Sequence, residues 1–405
     1  MNHIAIYTLT SALHDEQAVS AATSQFLASL HITHDLRGAD FSDFGAYPLS
    51  LIYVRTGGTE AIFKSLMPQL LRKSSATIYL LTSGESNSLA ASLEILTYLR
   101  QHGVSGEILH GRPSYVRERI TLLEQAALSR RQLSGQRLGI IGQPSDWLIA
   151  SQPDPKAMLR HLGVELIEIP MDELLQAIEA TPLTAVEPPS ASVSEAVSQA
   201  MPGANRIYSA LKTIIGRYRL RGFTLRCFDL LTAVHNTGCM ALARLNAEGI
   251  VAGCEGDVPT MLSMAIAQTL PTGVTGFQAN PSAIDPETGE LVFAHCTIPL
   301  NMVERYELDT HFESGIGVGI RGFMAPGPVT IFKTSADLSR SFVAEGTLTA
   351  CGSQPNLCRT QMHIRLDDKS QTRYFLTTPI GNHHVIIPGR YGRHLHEIMS
   401  TSQHQ

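Results

Sequence analysis

The chain has 405 residues, 43% hydrophobic and 17% charged, with a net charge of -5. This is globular composition, long enough for two or three domains and well away from disorder. The mildly acidic balance, with no block of Lys and Arg, gives no electrostatic reason to bind nucleic acid or an anionic membrane.

The N-terminal stretch MNHIAIYTLTSALHDEQ has no basic region followed by an apolar core and reads as a first strand, so no signal peptide is expected. No window reaches the roughly 20 apolar residues of a membrane span. The six cysteines form no C-x-x-C pair and sit in apolar surroundings, which fits reduced thiols in a cytoplasmic protein. Cys254 and Cys296 flank candidate site residues, so a reactive thiol there stays open.

Ile4–Tyr7, Leu51–Val54 and Thr77–Leu81 read as buried strands, with amphipathic helices over Thr59–Leu71 and Ser88–His102. Strand, polar turn and helix in repetition predict a parallel sheet with crossover helices. The turns Thr56-Gly57-Gly58-Thr59 and Ser83–Ser88 follow strands and open helices, where open α/β sheets bind ligands and where ordinary caps also lie. A second unit opens with a strand at Leu138–Gly142, followed by Gln143–Trp147, which carries the only tryptophan and is expected to cap a helix at Leu148. Ala180–Ala204, rich in Pro, Ser, Ala and Glu, reads as a mobile stretch or short surface helices. Leu225–Leu231 reads as a strand, Gly238–Asn246 as a helix, Gly249–Cys254 as a strand and Pro259–Leu270 as a helix. From Thr275 helical periods give way to short runs such as Gly315–Ile320, Val329–Lys333 and His384–Ile387, which predict a β-rich barrel or sandwich. A helix over Arg390–Met399 closes the chain. The expected fold is thus α/β: two Rossmann-like parallel-sheet domains, 1–135 and 136–273, and a β-rich, barrel-like C-terminal domain, 274–405.

Three segments place ligand groups at strand ends. Ala252–Asp257 sets Glu255 and Asp257 two residues apart, on one side if the strand continues. Paired carboxylates suit a divalent metal, or one base and one ligand. Leu291–Cys296 ends an apolar strand in His295. Gly381–His384 places His383 and His384 before another, and alternation lets one of them reach a given site.

The string CMALARLNAEGIVAGCEGDVPTML resembles the L-fucose/L-arabinose isomerase superfamily, as do VRTGGTE, SGESNSLAASLEIL, LGIIGQPSDWLIAS, LRCFDLL, FAHCTIPL, THFESGIGVGIRG and GNHHVIIPG in the same order. The resemblance spans nearly the whole chain and implies three domains and a metal-dependent aldose–ketose isomerase working through an enediol. It implies a divalent cation, Mn²⁺ as a rule, with Glu255 as metal ligand and proton carrier and His383 and His295 as further ligands. Where such enzymes carry a second carboxylate this chain has Asn280, which coordinates through its amide oxygen but shuttles no proton; Asp257 is the candidate for that part. The alternative is a sugar-binding or regulatory protein on the same scaffold. Thr56, Gly57, Gly58, Ser83, Glu85, Asn87, Ser145 and Trp147 are expected to bind a small-molecule sugar, with the aromatic ring against the sugar's apolar face. The resemblance also implies a homo-oligomer, trimer or hexamer, in which the first domain of one chain covers its neighbour's site.

Overall fold

The computed structural model describes residues 2–73, 77–184 and 193–400. The chain divides into two compact units, one formed by residues up to Arg131 together with those from Glu397, the other by Gln132–His396.

The first unit runs β1 (Ile4–Leu9), α1 (Glu16–Leu30), β2 (Asp35–Gly38), β3 (Leu49–Val54), α2 (Glu60–Lys73), β4 (Ile78–Leu81), α3 (Ser88–Gln101), β5 (Gly106–Leu109) and α4 (Pro113–Leu133). Its five strands are parallel, in the order β2-β1-β3-β4-β5. The near-continuous apolar runs of the central strands β1, β3 and β4 go with burial on both faces, whereas the edge strands β2 and β5 are only partly buried. Leu27 and Leu30 of α1 and Val116, Ile120 and Leu123 of α4 pack on Ile4, Ile6, Leu51 and Leu81. Phe63, Met67 and Leu70 of α2 and Ile95 and Leu99 of α3 pack on Tyr7, Ile52, Val54 and Leu80. Each such side chain, buried in full, contributes roughly 1.5–3 kcal/mol.

The second unit begins β6 (Arg137–Ile141), α5 (Pro155–Leu162), β7 (Glu165–Ile169), α6 (Met171–Ala180), α7 (Glu195–Tyr218), β8 (Gly222–Leu225), α8 (Asp229–Val234), α9 (Cys239–Ala247), β9 (Val251–Cys254) and α10 (Val258–Gln268). These strands form a parallel sheet, β7-β6-β8-β9. There follow β10 (Phe277–Asp285), β11 (Glu290–His295), β12 (Arg305–Asp309), β13 (Gly319–Phe323), β14 (Gly327–Thr334), β15 (Ser341–Cys351), β16 (Thr360–Leu366), α11 (Thr372–Thr377), β17 (His384–Pro388) and α12 (Gly392–Ser400). Six of them close an antiparallel barrel, β10-β11-β16-β15-β14-β17, while β12 and β13 pair separately. Two parallel-sheet α/β regions followed by a β-rich barrel is the architecture expected. The barrel interior, with Phe277, Phe293, Ile331 and Ile386, is continuous with Val197 and Met201 of α7 and Met240 of α9. Helix α10 is buried from Val258 to Ala267 and packs on β8 and β9 and on β10, β14 and β17. An apolar face all round is what a helix between two sheets requires.

Local structure departs from the sequence reading in four places. The strand expected over Leu225–Leu231 ends at Leu225, because Asp229 N–H and Leu230 N–H turn back onto the carbonyls of Arg226 and Cys227. No helix starts at Leu148: two single turns, Leu148 N–H to the Ser145 carbonyl and Ser151 N–H to the Leu148 carbonyl, are followed by irregular chain until Asp154 caps α5 through Ala157 N–H. In Gly315–Ile320 the glycines Gly315 and Gly317 take positive φ, 68° and 66°, so the strand begins only at Gly319. Of Ala180–Ala204, residues 185–192 lie outside the described residues, and from Glu195 the chain is the long helix α7, capped by Ser194 through Val197 N–H. That cap and the apolar face of Val197, Met201 and Ala204 outweigh the Pro- and Ser-rich composition. Among the described residues no helix is long and apolar enough to cross a membrane.

Candidate metal centre

Strand β9 carries four buried residues and then stops sharply. Glu255 and Gly256 are both left-handed, at φ 64° and 69°. For Gly256 this is enforced, since a Cβ there would lie 2.5 Å from the carbonyl oxygen of Gln143. For a glutamate the conformation is strained and persists only because its surroundings hold it. Gly256 N–H bonds the Leu225 carbonyl and the Glu255 carbonyl accepts from Ser145 N–H. Asp257 then caps α10, its Oδ1 accepting from Thr260 N–H at 2.8 Å.

This turn brings the Glu255 carboxylate to two imidazoles of the barrel. Oε1 lies 3.6 Å from His295 Nε2, at the end of β11, and 3.4 Å from His383 Nε2, just before β17. All three side chains are buried, and one ligand atom from each lies within 4.8 Å of the others. Each is held from behind. Trp147 Nε1–H donates to Glu255 Oε2 at 2.6 Å. His383 Nδ1–H donates to Asp257 Oδ2 at 2.8 Å, and His295 Nδ1 is 3.1 Å from the Thr297 hydroxyl. His383 Nε2 is buried with no hydrogen-bond partner. Imidazoles pinned at Nδ1, with Nε2 turned toward a carboxylate and one nitrogen orphaned, fit a divalent cation held by Glu255, His295 and His383.

The charges agree with the geometry. Burial alone would raise the Glu255 carboxyl, but His383 and then His295 hold it well below the usual carboxylate range. Burial would likewise raise Asp257, and Lys333 and His383 hold it down. Burial disfavours charge on both imidazoles. In His383 the carboxylates of Glu255 and Asp257 overcome it and raise the pKa to about 9, whereas His295 stays lowered.

The other expected site residues are placed as follows. Asp257 is fully buried with both oxygens engaged by Thr260, Lys333 and His383. Asn280 lies opposite Ala294, the neighbour of His295, on the adjacent barrel strand β11. Ser145 is buried beside Glu255 through its backbone, its hydroxyl unpartnered. Trp147 is 51% exposed and stands edge-on to Phe228, ring centroids 4.8 Å apart. Thr56, Gly57, Gly58, Ser83, Glu85 and Asn87 belong to the first unit, on the loops after β3 and β4. Those loops meet where Gly57 N–H donates to the Ser86 carbonyl at 2.7 Å, and Ser86 and Asn87 are both left-handed.

Three neighbours escape the sequence reading. His311 stands edge-on to Phe228 with centroids 5.5 Å apart, and burial pushes its pKa down to about 4. Glu313, two residues on, is raised by desolvation and then by the charge of Glu255. Neither carries a periodicity or spacing that marks it. Lys333 does carry a signal: it is a charge inside the apolar run of β14.

No protein-family model matches the chain. It is 23% identical over 333 residues to the sulfoquinovose isomerase of Priestia aryabhattai, covering 77% of this chain and 73% of that protein. The sulfoquinovose isomerase of Alkalicoccus urumqiensis is 23% identical over 263 residues, 61% of this chain, and the match spans 59% of that protein's length. That of Clostridium sp. (strain MSTE9) is 28% identical over 188 residues, 43% of this chain and 39% of that protein. The likeness is to sugar isomerases and agrees in direction with the resemblance in the sequence, without reaching the narrower L-fucose label.

Proposed function

We propose that the chain is a metal-assisted aldose–ketose isomerase acting on a monosaccharide. The observation that carries this is the convergence of Glu255, His295 and His383, whose Nε2 is unpartnered, in one buried cluster. The similarity to sulfoquinovose isomerases supports it. A divalent cation, when bound, polarises the sugar's carbonyl and hydroxyl oxygens and so acidifies the carbon between which and its neighbour the proton moves. Glu255 would hold it through Oε1, with His295 and His383 beside it. The indole of Trp147 keeps Oε2 oriented, and the exposed face of the same ring offers the sugar an apolar surface.

Glu255 is the proton carrier in this reading. Asp257 is assigned to orienting His383 rather than to proton transfer, since it is fully buried and its Oδ2 accepts from His383 Nδ1–H. Glu313 takes the second acid–base part. It lies two residues after His311, which stands edge-on to the same Phe228 that Trp147 packs against, and its carboxyl is raised by burial and then by the charge of Glu255. Mn²⁺ suits the mixed nitrogen and oxygen donors. The loops at Thr56–Gly58 and Ser83–Asn87 belong in this proposal to sugar binding, and the protein to a homo-oligomer, trimer or hexamer.

The test is metal per chain on purified protein, with Glu255→Gln alongside, followed by turnover of sulfoquinovose, L-fucose and L-arabinose with Mn²⁺. Stoichiometric metal lost in Glu255→Gln and metal-dependent isomerisation are expected. Saturable sugar binding with no metal dependence and no product would replace this reading by that of a binding protein on the same scaffold.

A further inference from the structure

Strand β14 is apolar through Val329–Phe332 apart from Thr330, yet its buried run goes on through Lys333, whose side chain is 0% exposed, to Thr334. An ammonium taken fully out of water is strongly penalised, and an apolar side chain of like volume is often at least as stabilising there. The lysine is therefore not explained by stability alone. Its Nζ lies 3.5 Å from Asp257 Oδ1 and donates to the Thr260 hydroxyl. A Cβ on Gly381, two residues before His383, would lie 3.8 Å from Lys333 Cε. Lys333 thus stands between the turn that carries Glu255 into α10 and the turn that carries His383 into β17.

We propose that Lys333 is a positioning residue of the metal centre: it fixes Asp257, and through Asp257 sets which nitrogen of His383 faces Glu255 and His295. This rests on the metal reading above. Asp257 has two oxygens and three partners. With Oδ1 held by Thr260 N–H and Lys333, Oδ2 is left to His383 Nδ1–H. A carboxylate accepts only, so the ring donates at Nδ1 and presents the lone pair of Nε2 to the cation. Without the ammonium the carboxylate loses one of its two anchors on Oδ1 and the ring its fixed orientation.

The experiment is calorimetric titration of Mn²⁺ into metal-stripped full-length protein, for wild type, Lys333→Met, Asp257→Asn and the double variant. Visible spectra of the Co²⁺ forms report ligand arrangement, and circular dichroism reports the fold. Lys333→Met is expected to weaken Mn²⁺ binding roughly 10- to 100-fold, as loss of an outer partner does, and to shift the Co²⁺ bands. In the Asp257→Asn background it should cost little further, because both act along one path. Thr260→Val removes the hydrogen bond to Nζ at nearly constant shape and should weaken binding about fivefold. Wild type that binds Mn²⁺ while Lys333→Met binds equally well, or a Lys333→Met loss as large in the Asp257→Asn background as in the wild-type one, overturns this inference and leaves the metal reading standing. Wild type that binds no Mn²⁺ overturns both. If Lys333→Met does not fold, unchanged binding in Thr260→Val overturns the inference.

Discussion

Trp147 donates its indole N–H to Glu255 Oε2 at 2.6 Å, and this bond decides which oxygen of the carboxylate faces the two histidines. A hydrogen bond to a charged group contributes roughly 1.5–3 kcal/mol. Trp147→Phe keeps an aromatic ring and removes the donor. We expect Mn²⁺ affinity to fall about 10-fold, with the rest of the loss appearing in kcat rather than KM. Calorimetry and steady-state kinetics on the same preparation check this, and unchanged metal affinity would detach the indole from the metal centre.

Two adjacent histidines should behave oppositely. His383 turns Nε2 toward Glu255, whereas His384 lies among Phe293, Phe342, Tyr374 and Phe375 with Nε2 3.0 Å from the Tyr374 hydroxyl. His383→Gln should lose bound metal. His384→Gln should keep it and lose about 1–3 kcal/mol of stability. Metal analysis beside denaturant unfolding distinguishes them, and equal metal loss in both would contradict the assignment.

Proton and cation compete for His383. In the metal-free protein its pKa is raised to about 9, above the ordinary 6.5. A raised value in the folded state means its contribution to metal-free stability is fully present below 6.5 and is lost as pH rises through 9. Metal must displace that proton, so affinity should climb about tenfold per pH unit through this window and level off above it. Titrations at several pH values between 6.5 and 9.5 test this; a flat profile would show that the ring is already neutral at pH 7.

Glu313→Gln removes a carboxyl raised by burial and by the charge of Glu255 while leaving all three ligands in place. Loss of a general acid–base group is expected to lower kcat by roughly 10²–10⁴ with metal content intact. Full activity in this variant would send the search for the second proton carrier elsewhere.

Gly256→Ala places a methyl 2.5 Å from the Gln143 carbonyl oxygen at φ 69°. The backbone strain alone is about 1–3 kcal/mol. Because Gly256 follows Glu255 directly, the variant should lose metal as well as stability, and a crystal structure would show the carboxylate displaced. Wild-type metal affinity with only a lowered melting temperature would show that the turn is not what aims Glu255.

Much of this was readable in the chain, for reasons that differ by residue. Parallel strands buried on both faces announce themselves as apolar runs, which is why Ile4–Tyr7 and Leu51–Val54 are clear. The barrel shows in the short strands after Thr275. Glu255 and His295 stand out because each ends such a run, and His383 because it stands just before one. The turn at Arg226–Phe228 did not show, since the apolar residues around it, Leu225, Cys227, Phe228, Leu230 and Leu231, resemble a strand and only backbone hydrogen bonds reveal the reversal. Asp257 looked like a partner in proton transfer because a continued strand would set it beside Glu255. Two left-handed residues break that strand and send Asp257 into the interior instead. His311 and Glu313 reach the site by the path of an irregular loop, which leaves no period to read.

The centre draws one ligand from the end of a parallel sheet and two from the barrel, with the fully buried α10 between them. Neither part alone can assemble a coordination shell. In the proposed reading, the three ligands would come together only once the barrel has closed through β10 and β17 and settled against α10. A chain with a misregistered barrel would leave Glu255 without its imidazoles and fail to retain the ion. A metal held there would then distinguish finished molecules from those that have only their sheets.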